Sequence, residues 1–178
     1  MMNHGRSVSL KKVVLLAAGT AVGVFQLCGW LGLRFNPSPS LPLGIYITTD
    51  RPDVTLVEFC PAQPFARLAA ERGYREKGTC PDGAAPLLKP VAAKPGDIVD
   101  LSPRGIAVNG KLLPNTAPLR RDTKGRPLVP WNFGRRMVEP GTIWAASTYN
   151  RRSYDSRYFG PVNVASIRAQ VRPLLTLW

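Results

Sequence analysis

Leu87-Leu88-Lys89-Pro90-Val91-Ala92-Ala93-Lys94-Pro95-Gly96-Asp97-Ile98-Val99 sets one lysine inside an apolar run and follows it with a turn. Leu87, Leu88, Val91, Ala92 and Ala93 read as strand, and Pro95-Gly96-Asp97 reverses the chain. A lysine on a strand facing a dry pocket loses solvation of its charge, so its pKa falls towards the range a general base needs. An exposed lysine on a half-buried strand fits the same pattern and is commoner, so Lys89 alone is ambiguous.

The β pattern extends both ways. Leu43 to Thr49 and Val54 to Phe59 are short β-rich runs separated by Asp50-Arg51-Pro52-Asp53, which predicts a hairpin. Ile98 to Leu101, Ile106 to Val108 and Lys111 to Leu113 are separated by Pro103-Arg104-Gly105 and by Asn109-Gly110, a strong hairpin signal. Pro64, the apolar face of Phe65, Leu68 and Ala69, and Gly73 predict a short helix over 64–72. Pro114 to Glu139 reads as a long excursion, and Thr142 to Ser147 as a further strand.

The 178 residues suffice for one domain, and 44% apolar content excludes wholesale disorder. Lys and Arg number 24 against 11 Asp and Glu, a net charge of +13, which directs attention to phosphates, nucleic acid and anionic lipid as partners. The single histidine, His4, lies in the N-terminal tail. No His-based triad or multi-histidine metal site can be built, and neither metal nor cofactor is expected.

Val13 to Leu33 is charge-free, entered by Lys11 and Lys12 and left at Arg34, and its length spans a bilayer as a helix. It runs on through Phe25, Gln26, Trp30 and Leu33, too long and bulky for a cleaved leader, and Phe25-Gln26-Leu27 before Cys28 is too bulky for a lipoprotein signal. A retained single-pass anchor is expected over 13–33, with a cytoplasmic tail at 1–12 and residues 35–178 outside a bacterial inner membrane, in the periplasm. In that oxidising space Cys60 and Cys80 are expected to pair, while Cys28 stays in lipid.

Two further segments carry chemistry: Asn36-Pro-Ser-Pro-Ser-Leu-Pro-Leu-Gly-Ile-Tyr46 and Tyr149-Asn-Arg-Arg-Ser-Tyr-Asp-Ser-Arg-Tyr-Phe-Gly-Pro-Val162. Taken alone, the first fits a stiff linker. With the lysine segment, and in this order after a membrane span, the three resemble the membrane-bound serine–lysine signal peptidases. Ser40-Leu41-Pro42 matches the serine box, Leu88-Lys89-Pro90-Val91 through Asp97 the lysine box, and Ser153-Tyr154-Asp155-Ser156-Arg157 the closing box. Gly78-Thr-Cys-Pro-Asp-Gly, and Ala146-Ser-Thr-Tyr-Asn-Arg-Arg in place of Gly-Asp-Asn-Arg, make the chain similar to the TraF-type peptidases of conjugative transfer rather than to housekeeping enzymes. The fold implied is mainly β, an antiparallel signal-peptidase-like catalytic domain with one short helix behind a transmembrane anchor.

The resemblance implies that Ser40 is the nucleophile and Lys89 its base, in accord with the lack of any histidine beyond the tail. It implies that Ser153 orients the lysine amine and that Ser38 helps the Ser40 N–H hold the oxyanion. Asp155 and Arg157 read better as a structural ion pair than as a proton relay. Ser40 stands six residues beyond Arg34, so the expected substrate is a membrane-embedded, pilin-like precursor, with hydrolysis or cyclisation both open. Membrane lipids and the conjugative secretion machinery are the other expected partners. The basic stretch with Arg120, Arg121, Lys124, Arg126, Arg135 and Arg136 around Trp131 and Phe133 reads as a loop beside lipid headgroups in preference to a nucleic-acid site. A general signal peptidase, or a noncatalytic transfer component binding DNA or lipid through this loop, are the competing readings.

Overall fold

The computed structural model describes residues 10–53 and 55–177. The tail carrying His4 and Arg6, Val54 at the head of an expected strand, and the side chain of Cys28 lie outside the described residues. A 21-residue helix, α1, runs over Leu10–Trp30. Among the described residues no helix is long and apolar enough to cross a membrane. The apolar run was expected to stay helical to Leu33, but the helix stops at Trp30 and β1 begins at Leu33. Gly32, at φ +76°, makes the turn between them and donates to the Gly29 carbonyl.

Two antiparallel sheets follow. The first contains β1 (Leu33–Asn36), β2 (Leu43–Thr48), β3 (Leu56–Phe59), β4 (Leu87–Ala93), β9 (Thr142–Ala145), β10 (Val162–Asn163) and β11 (Ile167–Leu177), in the order β1-β2-β11-β3-β4-β9-β10. The second comprises β5 (Ile98–Ser102), β6 (Gly105–Val108), β7 (Lys111–Leu112) and β8 (Gly134–Met137), in the order β7-β6-β5-β8. Helices α2 (Phe65–Glu71) and α3 (Ser156–Phe159) complete the chain.

The hairpin expected between β2 and β3 does not form. Strand β11 enters between them, pairing with β3 through Ile167–Gln170 and with β2 through Val171–Leu177. Turn residues mark a change of direction; they cannot name the partner, and a distant strand supplies better cross-strand packing through fully buried Val171. A bulge between Pro173 and Leu175 accommodates the missing proline donor. Gly44 opposes this bulge so closely that a Cβ would sit 2.2 Å from the Leu175 carbonyl oxygen. The β6–β7 hairpin forms as expected, with Asn109 at φ 49° and Gly110 at φ 82°, the two left-handed positions of a type I′ turn.

Two other expectations need correction. The excursion from Pro114 to Glu139 contains β8, which pairs with β5; its Gly-Arg-Arg-Met sequence lies at a sheet edge and carries no apolar alternation. The single short helix has a second for company: α3 lies inside the closing box, capped by Asp155, whose side chain accepts from the Arg157 N–H.

Three apolar clusters hold the sheets. Val57, Phe59, Leu87, Ala145, Tyr158 and Phe159 pack with α2; Val99, Leu101, Ile106, Val138 and Trp144 join the second sheet to the first; Leu41, Tyr46 and Val171 close the β2–β11 end. The Cys60–Cys80 disulfide is formed and ties the end of β3 to the approach to β4, enclosing α2.

Candidate active site

Asn36 shapes the serine loop. Its Nδ2 donates to the carbonyls of Ser38 (3.0 Å), Leu41 (3.4 Å) and Pro42 (3.1 Å), and its Oδ1 accepts from the Ser38 N–H. Pro37 and Pro39 bring no N–H of their own, so one buried amide satisfies most of the loop's polar backbone. Tyr46 Oη donates to the Pro42 carbonyl from below. Neither Asn36 nor Tyr46 carried a role in the sequence; an asparagine just before a Pro-Ser-Pro run is the signal that could have pointed to the first.

Lys89 reaches this loop from β4. The first half of β4 pairs with β3 up to Leu56 opposite Pro90, and β9 joins only from Val91 opposite Ala145. Pro90 thus sits where the pairing changes hands, which is where a strand tolerates a missing donor. Lys89 and Ser40 are each 4% exposed, and Lys89 Nζ donates to Ser40 Oγ at 2.6 Å. The Lys89 pKa is lowered to about 8, chiefly by burial, which outweighs the raising effect of the nearby Asp155 carboxylate and is aided by the Arg157 charge.

The remaining expected residues converge on the same place with one difference. Ser38 Oγ lies 3.0 Å from Ser40 Oγ and accepts from the Ser40 N–H at 3.4 Å. Asp155 and Arg157 are fully buried and paired, Nε to Oδ1 at 2.8 Å and an η nitrogen to Oδ2 at 2.9 Å. Arg157 also donates to the carbonyls of Asn115, Ser147 and Arg151, so its whole guanidinium is engaged. Ser153 is buried too, but its Oγ has no hydrogen-bond partner, and the contact with Lys89 that would orient the amine is not made.

Ser147 was missed by sequence reasoning. It is fully buried, its Oγ donates to the carbonyl of Ser40, and the same oxygen accepts from the N–H groups of Tyr149 and Asn150. Its own N–H donates to Asp155 Oδ2. A serine read as the last residue of a strand thereby joins the serine loop to the closing box.

Asn36, Ser38, Ser40, Lys89 and Ser153 line a groove of about 1340 Å³, with Ser147, Asp155 and Arg157 outside its wall. Such an arrangement supplies a hydroxyl, an adjacent amine able to be neutral near pH 8, and a partly dry surface for an extended ligand. Among the described residues no group of three or more His, Cys, Asp or Glu could hold a metal ion. Trp131 of the basic stretch packs its ring edge-on against Phe65 and donates its backbone N–H to the Arg157 carbonyl, so it belongs to the scaffold behind the closing box.

Residues 11–176 match the family described as signal peptidase, peptidase S26. A plasmid transfer protein TraF of Escherichia coli is 35% identical over 94% of this chain and 97% of its own length. A probable conjugal transfer protein TraF of Sinorhizobium fredii (strain NBRC 101917 / NGR234) is 39% identical over 93% of this chain and 90% of its own. Among solved structures, a signal peptidase I of Enterococcus faecalis V583 aligns with 69% of this chain and 98% of its own at 17% identity and a TM-score of 0.38. On the family match and on these full-length relatives, the chain belongs to the signal peptidase family, peptidase S26.

Proposed function

We propose that this protein is a membrane-anchored serine endopeptidase in which Ser40 is the nucleophile and Lys89 the general base, and that it processes a membrane-tethered, pilin-like precursor for conjugative transfer. The observation that carries the reading is the 2.6 Å contact between Lys89 Nζ and Ser40 Oγ, both buried. Neutral Lys89 takes the Ser40 proton as Oγ attacks the scissile carbonyl, and the resulting ammonium returns it to the leaving amine. Water then resolves the ester; an amine of the precursor could do so instead and would close a ring. Ser38 Oγ and the Ser40 N–H, which bond one another in the resting loop, turn to the developing oxyanion. Ser153 orients the lysine amine once substrate displaces the resting arrangement.

The conjugative role is supported by the plasmid and conjugal transfer relatives. The anchor, with residues 1–12 cytoplasmic and 35–178 periplasmic, is supported by the charge-free apolar run of the sequence over 13–33, by the lysines that precede it and by the disulfide beyond it. An apolar sheet face beside α1 adds to this. Phe35 and Leu175 share a rung with Ile45, and Leu43 faces Leu177 on the next; all but Ile45 are exposed, as is Trp30 at the helix end. Such a face suits the lipid boundary from which a tethered precursor would be reached.

Co-expression of the candidate pilin precursor with wild type, Ser40→Ala or Lys89→Met, followed by mass measurement of the product, tests the reading. Processing by wild type alone is expected. Processing by Ser40→Ala would remove the nucleophile and with it the proposal.

A further inference from the structure

The groove's charges are unevenly matched. Of the carboxylates in its wall, Glu58 is held by Arg34 at 2.5 Å, and Asp122 is shared between Arg126 at 2.6 Å and the Tyr74 hydroxyl. Arg75, also in the wall, is matched by Asp82. Four further arginines that line the groove have no acid paired with them among the described residues: Arg168, whose guanidinium is taken up by the Thr79 carbonyl and hydroxyl, Arg121, whose side chain bonds the Gly125 carbonyl, and Arg151 and Arg152, which immediately precede Ser153 in the chain and are left for a ligand with Arg121. Glu76 is the one carboxylate of the wall that no described residue pairs with, and it is outnumbered. The closing-box wall also carries a second buried hydroxyl without a partner, that of Tyr154, beside the orphan Ser153 Oγ.

Exposed, unmatched guanidiniums in the wall of a groove that also holds a dry dyad make a receptor for carboxylate, because each presents a planar fork of donors suited to two oxygens. We infer that Arg121, Arg151 and Arg152 form a carboxylate-binding subsite that selects peptide substrates carrying an acidic residue or a free C-terminus next to the scissile bond. The inference rests on the peptidase reading for its location but not for its chemistry, since binding of a carboxylate needs neither Ser40 nor Lys89. Exposed pairs of this kind are individually weak, so the selectivity comes from the three acting together. A tenfold preference is the scale expected.

The test uses the full chain in detergent and four synthetic peptides around one small-residue cleavage site: neutral with an amidated end, the same with a glutamate, the same with a free carboxylate end, and one with a lysine. Binding is read by fluorescence anisotropy on Ser40→Ala and cleavage on the otherwise unaltered chain. The expected result is about tenfold tighter binding of one or both carboxylate peptides, which also tells side chain from chain end, with the lysine peptide weakest. Arg121→Gln/Arg151→Gln/Arg152→Gln should erase the ranking, and the triple Lys variant should restore it; melting curves verify that both fold. Equal binding of the four peptides overturns the subsite, whatever the cleavage data say. Ranked binding without cleavage leaves the subsite standing and overturns the peptidase reading instead. If the triple Gln variant keeps the ranking yet loses co-sedimentation with phosphatidylglycerol vesicles, these arginines serve the membrane surface and the inference fails.

Discussion

Ser147 Oγ donates to the carbonyl of Ser40, joining two residues 107 positions apart. The bond fixes the peptide plane behind the proposed nucleophile, and the reach of Asp155 to the Ser147 N–H passes the support on to the buried ion pair. Small misplacements of a reacting group cost large factors in rate. Ser147→Ala is therefore expected to lower kcat about tenfold or more with KM little changed, whereas Ser147→Thr retains most of it. Steady-state kinetics on a precursor peptide separate the two parameters, and a rise in KM alone would speak against positioning.

The depressed Lys89 pKa sets the pH dependence. With a base titrating at about 8, kcat/KM should climb tenfold per pH unit below that value and level off above it. A pH profile that is flat from 6 to 9 would exclude Lys89 as the base.

The same burial has a stability consequence. Between pH 8 and the usual lysine value of 10.5 the unfolded chain holds a proton that the native state has lost, so stability rises with pH across that window; below it the native state carries the full penalty. Lys89→Met should thus be inactive yet more stable at pH 7, by up to about 3 kcal/mol. Urea denaturation of both proteins at pH 7 and pH 10 reads the difference, which should shrink at the higher pH.

Asp155 and Arg157 are fully buried and mutually satisfied. Removing one leaves the other's charge uncompensated, so Asp155→Ala is expected to cost about 3–5 kcal/mol. Chemical denaturation of the variant measures it, and a loss below 1 kcal/mol would mean that the pair relaxes into solvent.

The Cys60–Cys80 bridge closes a separation of 20 residues. Cys60→Ser/Cys80→Ser should lose about 3 kcal/mol on the chain-entropy estimate. The melting temperature of the double variant, and that of the reduced wild type, should fall together.

Phe35, Leu43, Leu175 and Leu177 put an exposed apolar face beside α1. Phe35→Ser/Leu175→Ser should weaken association of a fragment beginning at Leu33 with lipid vesicles several-fold, provided circular dichroism shows that fragment to be folded. Unchanged flotation would place the face away from the bilayer.

Much of this was legible in one dimension because it depends on near neighbours in sequence. Asn109-Gly110 dictated its hairpin, and Pro64 and Gly73 bounded α2; Ser40, Lys89 and the Asp155–Arg157 pair were singled out by the resemblance of three short boxes to a known family, and the structure brings Lys89 Nζ to Ser40 Oγ and pairs Asp155 with Arg157. What tertiary structure alone decided were the partners: β11 entering between β2 and β3, β8 adding to β5 without apolar alternation, and Ser147 reaching Ser40. Strand pairing and a buried hydroxyl's hydrogen bond are settled by which distant groups arrive together as the core closes, and no local pattern encodes that arrival.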